Sequence, residues 1–152
     1  MALQVNQNSN APPSAASPDG TVSFPLTVGS APLPNGATAL AGSSGVVAAA
    51  GSAVATLTSA AGRLAYITGF AVVGLGATTA IVAAITISGL AGGSINFGYP
   101  VPAGVGVAGP PLSVQFSSPL PASAVATNIV VTVASFGSGN TAASVMAEGY
   151  MI

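Results

Sequence analysis

The alternation of large and small side chains is clearest in a stretch without any charge, residues 66–90. In 81–87, IVAAITI, the larger apolar groups occupy odd positions, which is typical of a half-buried strand. β-Branched residues dominate the stretch and favour a pleated surface. Residues 65–73 form a second predicted strand, and glycines in 74–77 allow the positive φ that tight turns need. The pattern predicts a β-hairpin with one apolar face.

The alternative for the same stretch is a transmembrane helix, because about 20 apolar residues suffice to cross a bilayer. Four glycines interrupt it, however, and neither a Lys or Arg cluster nor aromatic residues at both ends would orient it. β-Branching and glycine content therefore favour strands, and no membrane partner is expected.

Short apolar runs separated by Gly or Pro continue on both sides of this stretch. About eight strands in about 110 residues, with turns every ~8–12 residues, suit a sandwich or jelly roll. We predict an all-β protein, a jelly-roll-like β-sandwich with an extended N-terminal arm. Pro119–Pro121 is expected to be a connection, because proline cannot donate to a ladder. The other predicted strands are 46–50, 53–58 (after a turn at Gly51-Ser52), 94–99, 112–117, 128–136 and 142–151.

Residues 1–41 differ from the rest, because six prolines punctuate a Ser-, Ala- and Asn-rich sequence. Proline fixes φ and biases the preceding residue toward extended conformations. We predict an extended arm over 1–41 and the sandwich domain over 42–152. A short strand is expected at 21–28, where four apolar residues share a parity. The arm is either a loose tail or a segment that orders on a neighbouring subunit, and its apolar positions favour the neighbour.

Charge is scarce: Asp19, Arg63 and Glu148 are the only charged residues, 2% of the chain against the usual ~25%. One explanation is a surface coated with Ser, Thr and Asn. We favour the other, that neighbouring subunits bury much of the surface, since interface cores are depleted in charge. A direct nucleic-acid partner is not expected, because one arginine cannot neutralise a row of phosphates.

Catalytic chemistry has few candidates, because the chain lacks His, Cys and Lys. Its two carboxylates lie far apart in sequence without a D-x-D pattern, so neither a catalytic pair nor a metal site is expected. The segment 104–109 matches G-x-G-x-x-G, but Pro110-Pro111 follow it and prevent a phosphate-binding helix. We predict a loop there, no cofactor and no enzyme. The first residues lack a basic and an apolar region, so a secretory signal is not expected.

Arg63 and Glu148 are the only charges of the compact part, and both fall at predicted strand boundaries. They form a candidate ion pair, within one subunit or across an interface. The alternative is two solvated side chains that contribute under ~1 kcal/mol.

The aromatic residues divide between core and surface. Aromatic rings bury large areas, so Phe70, Phe116 and Phe136 are expected in the core. A sugar-binding platform built from Tyr66, Tyr99 and Tyr150 is a weaker alternative, because no acidic or amide partners cluster beside them in sequence. The candidate interface residues are Phe24, Leu26, Tyr99 and Tyr150.

Beyond these patterns, several turn and core motifs between residues 45 and 152 are familiar. They are GRLAYITGF at 62–70, GLGAT at 74–78, GLAGG at 89–93, VPAG at 101–104, PLSV at 111–114, PLPA at 119–122, NIVV at 128–131 and GSGNT at 137–141. Together they resemble a group of small tailed-bacteriophage structural proteins, in which lysine is common where this chain has Arg63. The resemblance implies a virion protein with a jelly-roll-like sandwich, repeated around a symmetry axis.

From this resemblance and the scarcity of charge, the expected function is capsid decoration (cement). The protein would sit on the outer capsid surface of the virion as a homotrimer and bind the major capsid protein. The alternative is a head-fibre, neck or tail-tip module that binds a host glycan, and a weaker one is a subunit of a tube or filament.

Overall fold

A computed structural model of the protein describes residues 33–48 and 51–152. The predicted strand at 21–28, with Phe24 and Leu26, lies outside the described residues, as does Asp19. No helix in the described part is long and apolar enough to cross a membrane. The strands are β1 (Thr38–Ser43), β2 (Ala53–Leu57), β3 (Ala65–Gly74), β4 (Ile81–Ser88), β5 (Ile95–Val101), β6 (Leu112–Pro121), β7 (Ile129–Val133) and β8 (Ala143–Met151).

The eight strands form two four-stranded antiparallel sheets, with the orders β1-β8-β3-β6 and β2-β7-β4-β5. Four of the pairs are β1 with β8, β2 with β7, β3 with β6 and β4 with β5. Such nested pairs arise when the chain forms one long hairpin that is then rolled up. The pairs β3–β8 and β4–β7 form where successive turns of this roll meet. This strand order is that of a jelly roll, which confirms the predicted fold class.

This topology sorts the loops between the two ends of the sandwich. Because neighbouring strands are antiparallel, the β1–β2, β3–β4, β5–β6 and β7–β8 loops lie at one end. The remaining three loops lie at the other end, where Arg63 is found. The two ends of the sandwich therefore present different sets of loops.

The core lies between the sheets, on the alternating face predicted for 81–87. Ile85 and Ile87 are fully buried, and Val131 and Val133 of the neighbouring β7 are buried beside them. Of the three phenylalanines predicted for the core, Phe70 and Phe136 are fully buried, and Phe116 is half-buried beside Phe70. The odd-numbered side chains of 81–87 thus face the core, as their pattern indicated.

A β-bulge in β3 changes which side chains face the core. Thr68 is the extra residue between Ile67 and Gly69 in the pairing with β8. Its hydroxyl donates a hydrogen bond to the Glu148 carbonyl at 3.0 Å. One extra residue reverses the inward parity of a strand. The inward side chains are Ala65 and Ile67 before the bulge, and Phe70 and Val72 after it.

Three details differ from the sequence-based prediction. Strands β3 and β4 belong to different sheets, so the predicted hairpin is wrong and its glycine-rich turn crosses between sheets. Residues 38–43 form β1, so the sandwich includes residues assigned to the arm, whereas 46–50 contributes only a bridge at Val47 among its described residues. Pro119–Pro121 belongs to β6, because an edge strand tolerates proline where its backbone faces solvent.

Candidate docking surface

The end of the sandwich that carries the β1–β2, β3–β4, β5–β6 and β7–β8 loops has no charged residue among those that the structure describes. We call this surface the apolar end. Half of the large hydrophobic side chains that stand exposed in the described part lie here, and their exposures run from 48% to 74%. They are Val46, Val73, Val82, Val105 and Val107. An exposed, uncharged apolar patch of this kind marks an interaction surface.

Two shallow grooves connect three of these valines, Val46, Val73 and Val82, into one surface. The larger, of about 590 Å³, is lined by Ala80, Ile81, Val82, Pro100, Val101, Pro102 and Pro110. The other, of about 360 Å³, includes Val46, Val73 and Gly109 in its lining. Gly109 and Pro110 are adjacent in the β5–β6 loop, so the two grooves meet there. The surface suits the side chains of another protein better than it suits a small polar substrate.

Backbone hydrogen bonds hold the loops of the apolar end in place. The central β3–β4 loop is tied to the β5–β6 loop by Gly76 N–H to the Val107 carbonyl at 2.6 Å. On its other side, Thr78 donates to the Ser138 carbonyl from its backbone N–H at 2.8 Å and from its hydroxyl at 3.0 Å. Loops fixed in this way lose little entropy on binding, so the surface is preorganised.

Asn140 connects two of these loops from below. Its side chain, 3% exposed, donates from Nδ2 to the Leu75 carbonyl at 2.6 Å and to the Ala142 carbonyl at 3.2 Å. Sequence reasoning assigned Asn140 only to a turn. Its residue type was the available signal. A side-chain amide can donate hydrogen bonds to backbone carbonyls that have no strand partner where the chain crosses from β3 to β4.

Tyr99 and Phe136 form the floor beneath the apolar end. Their rings are stacked with centroids 5.0 Å apart, and Tyr99 is completely buried. Its hydroxyl lies under Gly109, where an added Cβ would come within 2.7 Å of it, and no described residue hydrogen-bonds to it. Burial therefore raises the pKa of Tyr99 above its usual value of 10.0, because the charged form is disfavoured away from water.

Substitution of Tyr99 by phenylalanine tests this floor. The folded state holds the hydroxyl protonated, while the unfolded state ionises near pH 10. Tyr99 should therefore contribute its full stabilisation below pH 10, and above pH 10 the free energy of unfolding should fall by up to ~1.4 kcal/mol per pH unit. Tyr99→Phe should keep wild-type stability at pH 7 and lose less at pH 11, as measured by urea unfolding. Tyr66 and Tyr150 remain in both proteins, so equal pH dependences would contradict this account.

At the opposite end, Arg63 fastens the segment that leads into β1. Its guanidinium donates from Nη1 to the Gly36 carbonyl at 3.1 Å. Its own carbonyl accepts from Ala126 N–H at 2.8 Å and from the Ser59 hydroxyl at 2.9 Å. The described contacts of Arg63 are thus with neutral groups that join neighbouring loops.

Glu148 lies far from Arg63, on the outer face of the β1-β8-β3-β6 sheet. It is opposite Gly69, whereas Arg63 lies before the first residue of β3, so several residue pairs of the β3–β8 ladder separate Arg63 from Glu148. Its Oε1 accepts from Gln115 Nε2 at 3.0 Å, across Gly69, where an added Cβ would come within 2.6 Å of the amide. The candidate ion pair is therefore not formed within one chain, and pairing between subunits stays a prediction.

The tyrosines do not form a common platform. Tyr66 and Tyr150 stack on each other on the outer face, with centroids 5.0 Å apart, and Tyr150 is 7% exposed. Tyr99 lies in the core of the other sheet. Its interior position makes it a core residue rather than an interface residue, because no part of its side chain reaches solvent. Tyr150 retains a small exposed area beside Ala39 of β1, its strand neighbour.

The remaining candidate motifs give no further site. The G-x-G-x-x-G segment lies in the β5–β6 loop, as predicted, with Gly104 and Gly106 at positive φ. The described residues contain no group of three His, Cys, Asp or Glu side chains that could hold a metal ion.

No family model, curated protein or solved structure matches this chain. Function therefore has to be inferred from the jelly-roll fold and from the chemistry of the apolar end.

Proposed function

We propose that this protein is a decoration (cement) protein of a tailed-bacteriophage capsid. It binds the major capsid protein on the outer surface of the assembled shell as a homotrimer and stabilises the shell. The observation that carries the proposal is the apolar end, a preorganised surface with exposed valines and no charge. The resemblance of residues 45–152 to phage structural proteins supports it, as does the frequency of jelly rolls among capsid proteins, although a fold alone does not define a function.

The mechanism is mass action. A protein that binds only the assembled shell lowers the free energy of that state by RT ln(1 + [L]/Kd), about 2.7 kcal/mol at a free concentration of 100 Kd. Each docked copy contributes through apolar area removed from water. Because the apolar end has no charge, its attachment should depend little on salt concentration.

Val105→Glu tests the proposal at the apolar end, with Val125→Glu as the matched control. The two valines are 58% and 59% exposed, but Val125 lies in the β6–β7 loop at the opposite end. A carboxylate buried without a partner strongly opposes binding, so Val105→Glu should bind undecorated shells about 100-fold more weakly or worse. Val125→Glu should bind like wild type. Co-sedimentation with shells, followed by quantification of both proteins, measures the effect.

Stoichiometry in purified particles separates this function from the alternative. Hundreds of copies per particle, near one per capsid subunit or one trimer per three-fold position, would support decoration. A number lower by tens of fold would point to a head-fibre, neck or tail-tip module. Complete absence from particles, or equal binding by wild type and Val105→Glu, would contradict the proposed function.

A further inference from the structure

The two sheets have four edge strands, and three of them are protected against pairing with another strand. Strand β5 carries Pro100, and β6 carries Pro119 and Pro121; proline cannot donate to an added strand. The inner side of β2 is covered by β1, because Gly42 packs directly against the Thr56 backbone. Strand β1 itself, TALAGS, has neither proline nor charge.

The hydrogen-bonding pattern of β1 shows which of its backbone groups point toward β8 and which point to the free edge of the sheet. Ser44 N–H donates to the Val145 carbonyl at 3.0 Å, and these residues continue the β1–β8 register. Pairing alternates along an antiparallel ladder, so Leu40 and Gly42 bond to β8. The backbone groups of Ala39, Ala41 and Ser43 therefore point away from the sheet. No other described strand lies beside them; we call this row the β1 edge.

We propose that the β1 edge binds, in antiparallel orientation, the segment 21–28, TVSFPLTV, of a second copy of this chain. β-Strand addition of this kind joins main-chain groups along an exposed edge. The segment has the alternation of a strand, and Pro25 restricts how it can pair. Since Pro25 has no N–H, its backbone must face away from β1, so the even-numbered residues bond to β1.

This parity places the apolar side chains of the segment on the outer face of the sheet. Directly paired residues share a face, and Ala39 and Ala41 point outward beside Tyr150 and Glu148. Their small side chains leave room for Phe24 and Leu26 to lie over β8. There they would cover Tyr150 and the exposed Met146. The contact would thus unite Phe24, Leu26 and Tyr150 of the predicted interface.

The turn that leads into β1 favours a second copy over the same chain. Ala37 N–H bonds to the Pro34 carbonyl at 3.0 Å, with Gly36 at φ 81°. A hairpin continued backward from this turn would set 28–33, rather than 21–28, along β1. It would also bring Pro32 opposite Ala39, and because proline has no N–H, Pro32 could not donate a hydrogen bond to the Ala39 carbonyl. Residues 29–32 join the segment to Leu33 and allow up to about 17 Å between Val28 and Leu33 when extended, so the β1 edge of the second copy must lie within that distance.

Cysteine cross-linking in the full chain tests the contact, because the native sequence has no cysteine. Purified Ala41→Cys is mixed with Leu26→Cys, or with Phe24→Cys to allow for either register, and oxidised mildly. We expect covalent dimers that contain one copy of each variant. Ser113→Cys, on the outer face of the far edge strand β6, is the matched control and should give none with either arm variant.

The parity of the contact is tested independently by oligomeric state. Leu26→Asp should weaken self-association about tenfold or more, because the charge would lie against apolar side chains. Thr27→Asp, which has the opposite parity, should associate like wild type in sedimentation equilibrium. Cross-links confined to a chain that carries both cysteines would overturn the proposal. So would the absence of cross-links together with equal association of the two aspartate variants. Neither experiment involves the shell, so the outcome is independent of the proposed binding to the capsid.

Discussion

Phe136→Ala is expected to lower the free energy of unfolding by about 3–5 kcal/mol. The ring is fully buried, stacks on Tyr99 at an interplanar angle of 14° and packs against Gly74. Its removal leaves a cavity beneath the apolar end that tightly hydrogen-bonded loops cannot collapse to fill. Since domains are stable by only about 5–15 kcal/mol, the variant should lose a large part of its stability.

Urea unfolding at neutral pH measures this loss, and Phe97→Ala provides the comparison. Phe97 is half-buried at the edge of the sandwich and meets Phe70 in a tilted contact at 5.3 Å, so its loss should be smaller. If Phe136→Ala were destabilised by less than about 1 kcal/mol, the description of Phe136 as a rigid floor would be wrong. A weaker affinity of Phe136→Ala for shells would further link the floor to the docking surface.

Gly149→Ala is expected to be at least as damaging, about 3 kcal/mol or more, or to prevent folding. An added Cβ at Gly149 would overlap the carbonyl oxygen of Tyr66. That oxygen belongs to the backbone of β3, next to the bulge, and cannot move without disturbing the β3–β8 ladder. A flexible side chain could yield, whereas a strand in the middle of a sheet cannot.

The matched control is Gly92→Ala in the β4–β5 turn, where no atom lies within 4 Å of an added Cβ. Gly92→Ala should stay within about 0.5 kcal/mol of wild type. Soluble yield and thermal unfolding compare the two variants. A melting temperature for Gly149→Ala close to that of Gly92→Ala would show that β3 and β8 can separate locally without loss of the fold.

The sequence was sufficient for the class of fold because local alternation and turn residues carry that information. The face buried by 81–87 was predicted correctly, since Ile81, Ile85 and Ile87 share the odd parity and the core selects large apolar side chains. The hairpin between β3 and β4 was predicted incorrectly. A glycine-rich turn indicates a change of direction, but whether the next strand joins the same sheet depends on pairing with distant strands.

The candidate site depended still more on long-range geometry. Five scattered valines carry no motif, and only the sorting of loops between two ends brings them together. The distance between Arg63 and Glu148 depends on the register of β8 against β3, which shifts at the bulge formed by Thr68. Tyr99 looks like a surface tyrosine in sequence, between Gly98 and Pro100. Its burial follows from the inward parity of β5, which pairing with β4 determines.

The nested pairing of the strands also determines how much conformational entropy the chain loses when each strand pair forms during folding. Among the hydrogen-bonded strand pairs, only β4 and β5 are joined by a short connection, residues 89–94, whereas β1 and β8 lie at opposite ends of the sandwich sequence. The entropy lost on closing a loop grows with the length enclosed, and distant pairings slow folding. The β4–β5 ladder therefore costs the least entropy to form first. Each surrounding pair that then forms shortens the loop that the next pair has to close.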